Sequence, residues 1–255
     1  MNFSGNSVLV TGASRGIGYG IAKAFALAGA DLTIVADDAK TMEAAEELGK
    51  LADRPVRGMI ADIADRTAVA STIGTLEKID ILINNAGLEL ITPIDEEGED
   101  VEATFRRIVD INVNGSFFVT REALRKIPDG GRIIFTASVW GKSAEAGFSA
   151  YCASKHAVIG LMRTLAKELG RRKITVNAIC PGWVKTVASM RSLGRMAARE
   201  DRDEQALLDD IVATQAISGL MQPDDVAAPY LFLASNGAAN ITGQALNIDR
   251  GELMS

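Results

Sequence analysis

Tyr151 and Lys155 stand four residues apart in the stretch AYCASKHAV, residues 150–158. Four residues along a helix bring two side chains to one face, so the phenol and the ammonium can serve one site. A phenol's reference pKa is about 10, too high for a base at neutral pH, and an adjacent ammonium lowers it by favouring the phenolate. Such a tyrosine can take a proton from an alcohol as hydride leaves its carbon, or return one to a carbonyl during reduction. The pair alone would also suit any helix with one exposed Tyr and Lys, so the neighbours decide. Thirteen residues before Tyr151 the run IIFTAS ends at Ser138. Its hydroxyl could hold a substrate oxygen as charge develops there, or simply cap its own loop. His156, the chain's one histidine, is rotated about 100° from Lys155, which predicts packing or surface.

A second chemical signal is TGASRGIG at 11–18, with Gly12, Gly16 and Gly18 between an apolar run and a helical pattern. Glycines allow close backbone approach, and a helix N-terminus offers unpaired N–H groups and partial positive charge to a pyrophosphate. The spacing is G-x3-G-x-G rather than G-x-G-x-x-G, so these glycines could equally mark only a tight turn. The second strand then ends at Asp37, where a carboxylate would accept from adenosine ribose hydroxyls and repel a 2′-phosphate. NAD is favoured over NADP, although Arg15 in the turn suits a phosphate. Asp37 and Asp38 could instead be solvated loop acids.

The elements that must position these groups follow from periodicity. Short β-branched runs at 7–11, 31–35, 56–61, 80–84, 131–136, 174–179 and 244–248 read as strands. Helical spacing follows the glycine turn, with Gly29 as its cap, and recurs at 41–51, 66–76, 101–124, 151–169 and 223–234. Alternation of this kind predicts a single-domain, Rossmann-type doubly wound parallel α/β sheet of about seven strands, helices on both faces, spanning 1–255. Residues 183–222 hold no strand and read as a substrate lid.

Composition narrows the function. The formal charge of −6, without a Lys/Arg block, argues against nucleic acid and against an anionic membrane surface as partners. No 18-residue apolar run and no leader pattern occur, which predicts a cytoplasmic protein. Cys152 and Cys180 match no metal or redox spacing, and with one histidine no metal site is expected.

Taken in order, TGASRGIG, Asp62-Ile63 after the third strand, NNAG at 84–87, Asn112 in INVNG, Ser138, YCASK at 151–155, PGWVKT at 181–186 and ITGQALNID at 241–249 form a set. With it the chain resembles the classical short-chain dehydrogenase/reductase family from about residue 7 to 251. The resemblance implies that Tyr151 is the acid/base, that Ser138 orients the reacting oxygen, and that Lys155 lowers the tyrosine pKa and binds the nicotinamide ribose. Asn112 would hold a water linking Lys155 to solvent. As an amide in a largely apolar helix it needs partners in any case, a structural hydrogen bond being the alternative. Cofactor contacts would come from Gly12, Ser14, Arg15, Gly16, Ile17, Gly18, Asp37, Asp62, Ile63, Asn85, Ala86, Gly87, Tyr151, Lys155, Pro181, Gly182, Val184 and Thr186. Asp249-Arg250-Gly251 stands where the family often has Asp-Gly-Gly. The family also implies a homotetramer, with helices 101–124 and 151–169 as contacts.

Specificity should lie at 88–93, 139–149 and in the lid. Trp140 and Trp183 could wall the pocket, and Glu89 and Glu145 could accept from hydroxyls and repel carboxylates, or be solvated loop acids. Arg191, Arg195 and Arg199 read as the wet face of a lid helix whose other side carries Leu193 and Met196, rather than as an anion trap. NAICPGWV at 177–184 is similar to 3-hydroxybutyrate dehydrogenases of the family, but no lysine precedes Tyr151 at 147–149. The expectation is an NAD-dependent enzyme interconverting a secondary alcohol, of the polyol or sugar kind, with its ketone. An NADPH-dependent carbonyl reductase, a 3-hydroxy acid dehydrogenase and a non-catalytic dinucleotide-binding regulator are the alternatives.

Overall fold

Continuous apolar runs such as Val8–Val10 and Ile81–Ile83 suit strands covered on both faces. In the computed structural model, which describes residues 1–95 and 99–254, they do form the centre of a parallel sheet. The strands are β1 Ser7–Thr11, β2 Asp31–Ala36, β3 Arg57–Ile60, β4 Ile81–Asn84, β5 Arg132–Thr136, β6 Thr175–Pro181 and β7 Ala245–Ile248. Their spatial order is β3-β2-β1-β4-β5-β6-β7, every pairing parallel. The order reverses direction between β1 and β4, the place where a crevice opens at the strands' carboxyl ends.

Side chains alternate along each strand, so two cores form. Leu9, Leu82, Ile133 and Phe135 meet α3 Arg66–Gly74, α5 Ser116–Ala123 and α6 Ser149–Leu169 on one face. Val8, Val10, Ile81, Ile83 and Ile134 meet α1 Gly16–Leu27, α2 Lys40–Ala52 and α9 Ala227–Ala234 on the other. This is the Rossmann-type doubly wound sheet that the alternation predicts. Gly29, at φ +88° after α1, sits where its cap was expected.

Two segments differ from simple periodicity. The helix expected over 101–124 is α4 Glu99–Val109, a π-helical turn at Asp110–Gly115, and then α5. Apolar residues continue on either side of the interruption, α4 packing on α6 and α5 on α3 and β4; Asn112, treated below, lies within the turn. The lid region contains α7 Val187–Glu200, capped by the Thr186 and Ser189 side chains, and α8 Glu204–Ala213, capped by Asp203. Arg191, Arg195 and Arg199 are exposed on α7, and Leu193 and Met196 are buried, as amphipathic spacing requires. Among the described residues, no helix is long and apolar enough to cross a membrane.

Candidate active site

The cleft is built first by glycines. Gly12 has φ +67°, and a Cβ there would stand 2.6 Å from the Ala86 Cα, so the turn after β1 packs directly on the loop after β4. A Cβ on Gly18 would collide with the Gly12 carbonyl oxygen. Thr11 Oγ1 accepts from the backbone N–H groups of Asn85 (3.0 Å) and Ala86 (3.1 Å), while Asn85 Nδ2 donates to the Thr11 carbonyl (3.1 Å) and the Gly12 carbonyl (3.2 Å). Helix α1 starts at Gly16 with no side-chain cap from Arg15 and no acid in its first turn. Its leading N–H groups therefore remain available to an anion.

A cleft of about 540 Å³ lies at the carboxyl ends of β1, β4, β5 and β6. Every residue expected to touch a dinucleotide lines it: Gly12, Ser14, Arg15, Gly16, Ile17, Gly18, Asp37, Asp62, Ile63, Asn85, Ala86, Gly87, Tyr151, Lys155, Pro181, Gly182, Val184 and Thr186. The glycine cradle, the uncapped helix end and the cleft's extent fit a dinucleotide's pyrophosphate with its two flanking nucleosides.

At the end formed by β2 and β3, Asp37 is exposed and faces the cleft. Arg15 is ion-paired with Asp38, which also accepts from the Ser14 hydroxyl at 3.2 Å. Lys40, at the start of α2, lines the same end. Sequence reasoning missed it, because a lysine opening a helix carries no motif. Burial opposes ionisation of the Asp62 carboxyl. Arg107 at 2.6 Å and the Ala64 N–H at 2.9 Å outweigh it and hold the group below its usual range.

The other end gathers the candidate chemistry. Ser138 follows β5 and opens a short 3-10 turn, its Oγ accepting from the Trp140 N–H at 3.2 Å. The same hydroxyl is near enough to the Tyr151 phenol to act on it, in the direction of a lower pKa. Lys155, 4% exposed, donates Nζ–H to the Thr136 carbonyl at 2.8 Å and lies 5.4 Å from the Tyr151 ring centroid. The expectation that Lys155 brings the phenol below its ordinary pKa needs correction. Burial, with the nearby Glu89 charge, pushes the phenol upward and outweighs Ser138. Burial also lowers the Lys155 ammonium itself, to about 8. The ammonium's own hydrogen bond goes to the Thr136 carbonyl.

Asn112 is 1% exposed and stands behind the cleft rather than in its lining. Its Oδ1 accepts from the Leu88 N–H (2.7 Å), and its Nδ2 donates to the Leu88 carbonyl (3.0 Å) and to Ser154 Oγ (2.9 Å). Ser154 in turn donates to the Tyr151 carbonyl at 2.8 Å. The π-helical turn is what aims this amide across to the β4 loop, a recurrent use of such bulges. A Cβ on Gly87 would lie 3.2 Å from Asn112 Oδ1 and 3.5 Å from Lys155 Nζ, so the three converge on one point. Ser154 and Thr136 were not singled out by sequence, since a helix serine and a strand threonine look structural.

Around the substrate end, the Trp140 ring lies tilted against Phe148 at 4.8 Å and meets Tyr151 and Trp183 edge-on at 6.0 Å. Trp140, Trp183 and Glu89 line the cleft; Glu145 does not. The Glu145 carbonyl accepts from the Phe148 N–H at 3.2 Å, and its side chain is half-buried outside the lining. Arg191 donates to the Glu89 carbonyl at 2.7 Å, and Arg199 pairs with Asp95 at 2.6 Å, tying the lid to the loop after β4. His156 is exposed, its Nδ1 2.9 Å from the Cys152 carbonyl of its own helix. Among the described residues no group of three His, Cys, Asp or Glu side chains could hold a metal.

This arrangement has counterparts. A family model described as Enoyl-(Acyl carrier protein) reductase matches residues 12–252. The 3-oxoacyl-[acyl-carrier-protein] reductase of Rickettsia conorii (strain ATCC VR-613 / Malish 7) is 32% identical over 257 residues, covering 100% of this chain and 99% of that one. A blue fluorescent protein from a metagenomic library, solved with NADPH, is 32% identical with a TM-score of 0.86, covering 100% of both chains. NAD+-bound xylitol dehydrogenase is 26% identical with a TM-score of 0.90, covering 97% of this chain and 99% of that one.

Proposed function

The chain belongs to the classical short-chain dehydrogenase/reductase family, NAD(P)-dependent oxidoreductases of alcohol and ketone groups, and from that premise we propose that it is an NAD-dependent dehydrogenase of a secondary alcohol of the polyol or sugar kind. The observation that carries this is the meeting, in one cleft, of Ser138, the Tyr151 phenol, the Lys155 ammonium and an uncapped glycine-turn helix.

A bound nicotinamide supplies the hydride acceptor in oxidation and the donor in reduction. The chain's own groups do the rest. Ser138 and Tyr151 hold the reacting oxygen, and Tyr151 takes the hydroxyl proton during oxidation or gives it to the carbonyl oxygen during reduction. Lys155 binds the nicotinamide ribose and, from beneath the ring, supports charge on the phenol. Asn112 holds the loop after β4 and a water by which Lys155 exchanges protons with solvent. The residues from Gly12 to Thr186 named as cleft lining hold the dinucleotide.

NAD is supported by the free Asp37 carboxylate and by the commitment of Arg15 to Asp38. An NADPH-dependent carbonyl reductase is the second reading, because Lys40 and Arg15 both stand at the adenosine end and a pKa-raised phenol is a ready acid. Trp140 and Trp183 offer flat walls for a sugar carbon face. The enzyme works as one cytoplasmic domain under a lid at 183–222. It assembles as a homotetramer through helices 101–124 and 151–169, where Phe105 (39%) and Phe117 (40%) stay exposed in the single chain. Initial rates with NAD and NADP over a panel of polyols, hydroxy acids and aromatic alcohols test the proposal. A strong NADP preference, or turnover confined to hydroxy acids, would replace it.

A further inference from the structure

Among the described residues, Glu89 is the one acidic side chain lining the cleft beside the Trp140, Tyr151 and Trp183 rings. It sits half-buried on the loop after β4, pressed between two elements. From α7, Arg191 donates to the Glu89 backbone carbonyl at 2.7 Å, which fixes the main chain and leaves the carboxylate out of that bond. Ser192, 1% exposed on the same helix, leans its hydroxyl toward the carboxyl and favours its charged form. Neither Ser192 Oγ nor Glu89 Oε1 finds a closed hydrogen bond in the chain. From α6, the Tyr151 phenol is close enough for the Glu89 charge to act on it. Burial raises the Glu89 pKa, while Ser192, Arg191 and Arg195 pull it back.

Glu89 Oε1 is closed off beside the Ser192 hydroxyl, whereas the carboxylate's other oxygen is neither shielded nor bonded within the chain and is the one a ligand in the cleft can reach. Ser192 is the donor on the protein side, and a substrate entering the cleft lined by both Glu89 and Tyr151 can supply the donor on the other. A neutral hydroxyl satisfies the carboxylate; a substrate carboxylate placed there meets like charge in a sheltered site. We infer that Glu89 sets the substrate class, its carboxylate accepting a hydroxyl on the carbon next to the reacting one, so that vicinal diol units are selected and neighbouring carboxylates are turned away. This rests on the hydride-transfer reading of the cleft given above.

The test compares 2,3-butanediol, 2-butanol and 3-hydroxybutyrate as substrates for the wild type, Glu89→Gln and Glu89→Leu, with folding checked by circular dichroism. The wild type should show at least a tenfold higher kcat/KM for the diol than for 2-butanol. In Glu89→Leu that ratio should collapse at least tenfold, mainly through KM. Glu89→Gln, which keeps an acceptor but no charge, should lose less of the ratio and gain toward 3-hydroxybutyrate. A wild type that treats the two alcohols alike, or a Leu variant whose ratio stays within twofold, overturns the role of Glu89 alone. A folded wild type that turns over none of the three with either dinucleotide overturns the hydride-transfer reading, and the inference with it.

Discussion

Lys155 Nζ lies 2.8 Å from the Thr136 carbonyl oxygen and 5.4 Å from the centroid of the Tyr151 ring. The ammonium thus supports the tyrosine from below without bonding its hydroxyl. With the phenol buried, its pKa is displaced upward. Reduction needs the phenol as acid, and that form prevails through neutral pH. Oxidation needs the phenolate, whose fraction grows tenfold per pH unit below the pKa. The expected outcome is a kcat/KM for alcohol oxidation that climbs with slope near one from pH 6 to 9, while carbonyl reduction stays level from pH 6 to 7.5. Parallel profiles would contradict this assignment.

Glu89 faces Tyr151 on α6 and Arg191, Arg195 and Ser192 on α7, and its charge is one cause of the raised phenol. Removing that charge in Glu89→Gln should move the oxidation profile toward lower pH, because the phenolate then forms more easily. An unmoved profile would mean that the two groups do not interact.

Asn112 fills all its hydrogen-bonding directions but one, bridging Leu88 and Ser154. Asn112→Ala leaves the Leu88 N–H and carbonyl unpaired next to the cleft, at a cost of about 1–3 kcal/mol. Urea denaturation should show that loss, and turnover should fall further than stability alone explains because Gly87 and Lys155 adjoin the same point. A stability change under about 0.5 kcal/mol would show the bridge to be dispensable.

Asp37 stands free at the cleft while Arg15 is held by Asp38. Asp37→Ser removes the charge that opposes a 2′-phosphate and leaves Lys40 at the same end of the cleft to meet one. The NADP-to-NAD ratio of kcat/KM should rise on the order of tenfold or more, about 1.4 kcal/mol. An unchanged ratio would assign selectivity elsewhere.

Much of this was legible in the residues. Continuous apolar runs place the strands because a sheet buried on both faces needs apolar residues at successive positions, and Gly12 and Gly18 are legible because a Cβ would collide there. Legibility ended where one residue's effect depends on remote packing. The π-helical turn at Asn112 was hidden because buried apolar residues continue on both sides of it, Ile108 before and Val119 after. Lys40 and Ser154 carry no pattern of their own. Glu145 shares the chemistry of Glu89 yet lies outside the cleft, a distinction set by the path of the loop and not by residue type. The direction of the Tyr151 pKa was misjudged because spacing shows proximity to a cation but not the burial that competes with it.

The central claim is that the Tyr151 hydroxyl exchanges a proton with the substrate inside a dinucleotide cleft. Substituting Tyr151→Phe keeps the ring and its contacts with Trp140 while deleting that oxygen. Steady-state turnover, with dinucleotide affinity measured in parallel by fluorescence titration, tests it most directly. The account predicts a loss of about 10²–10⁴-fold in kcat, with the dinucleotide dissociation constant held within threefold. Turnover retained within tenfold of the wild type, with the dinucleotide still bound, would contradict it.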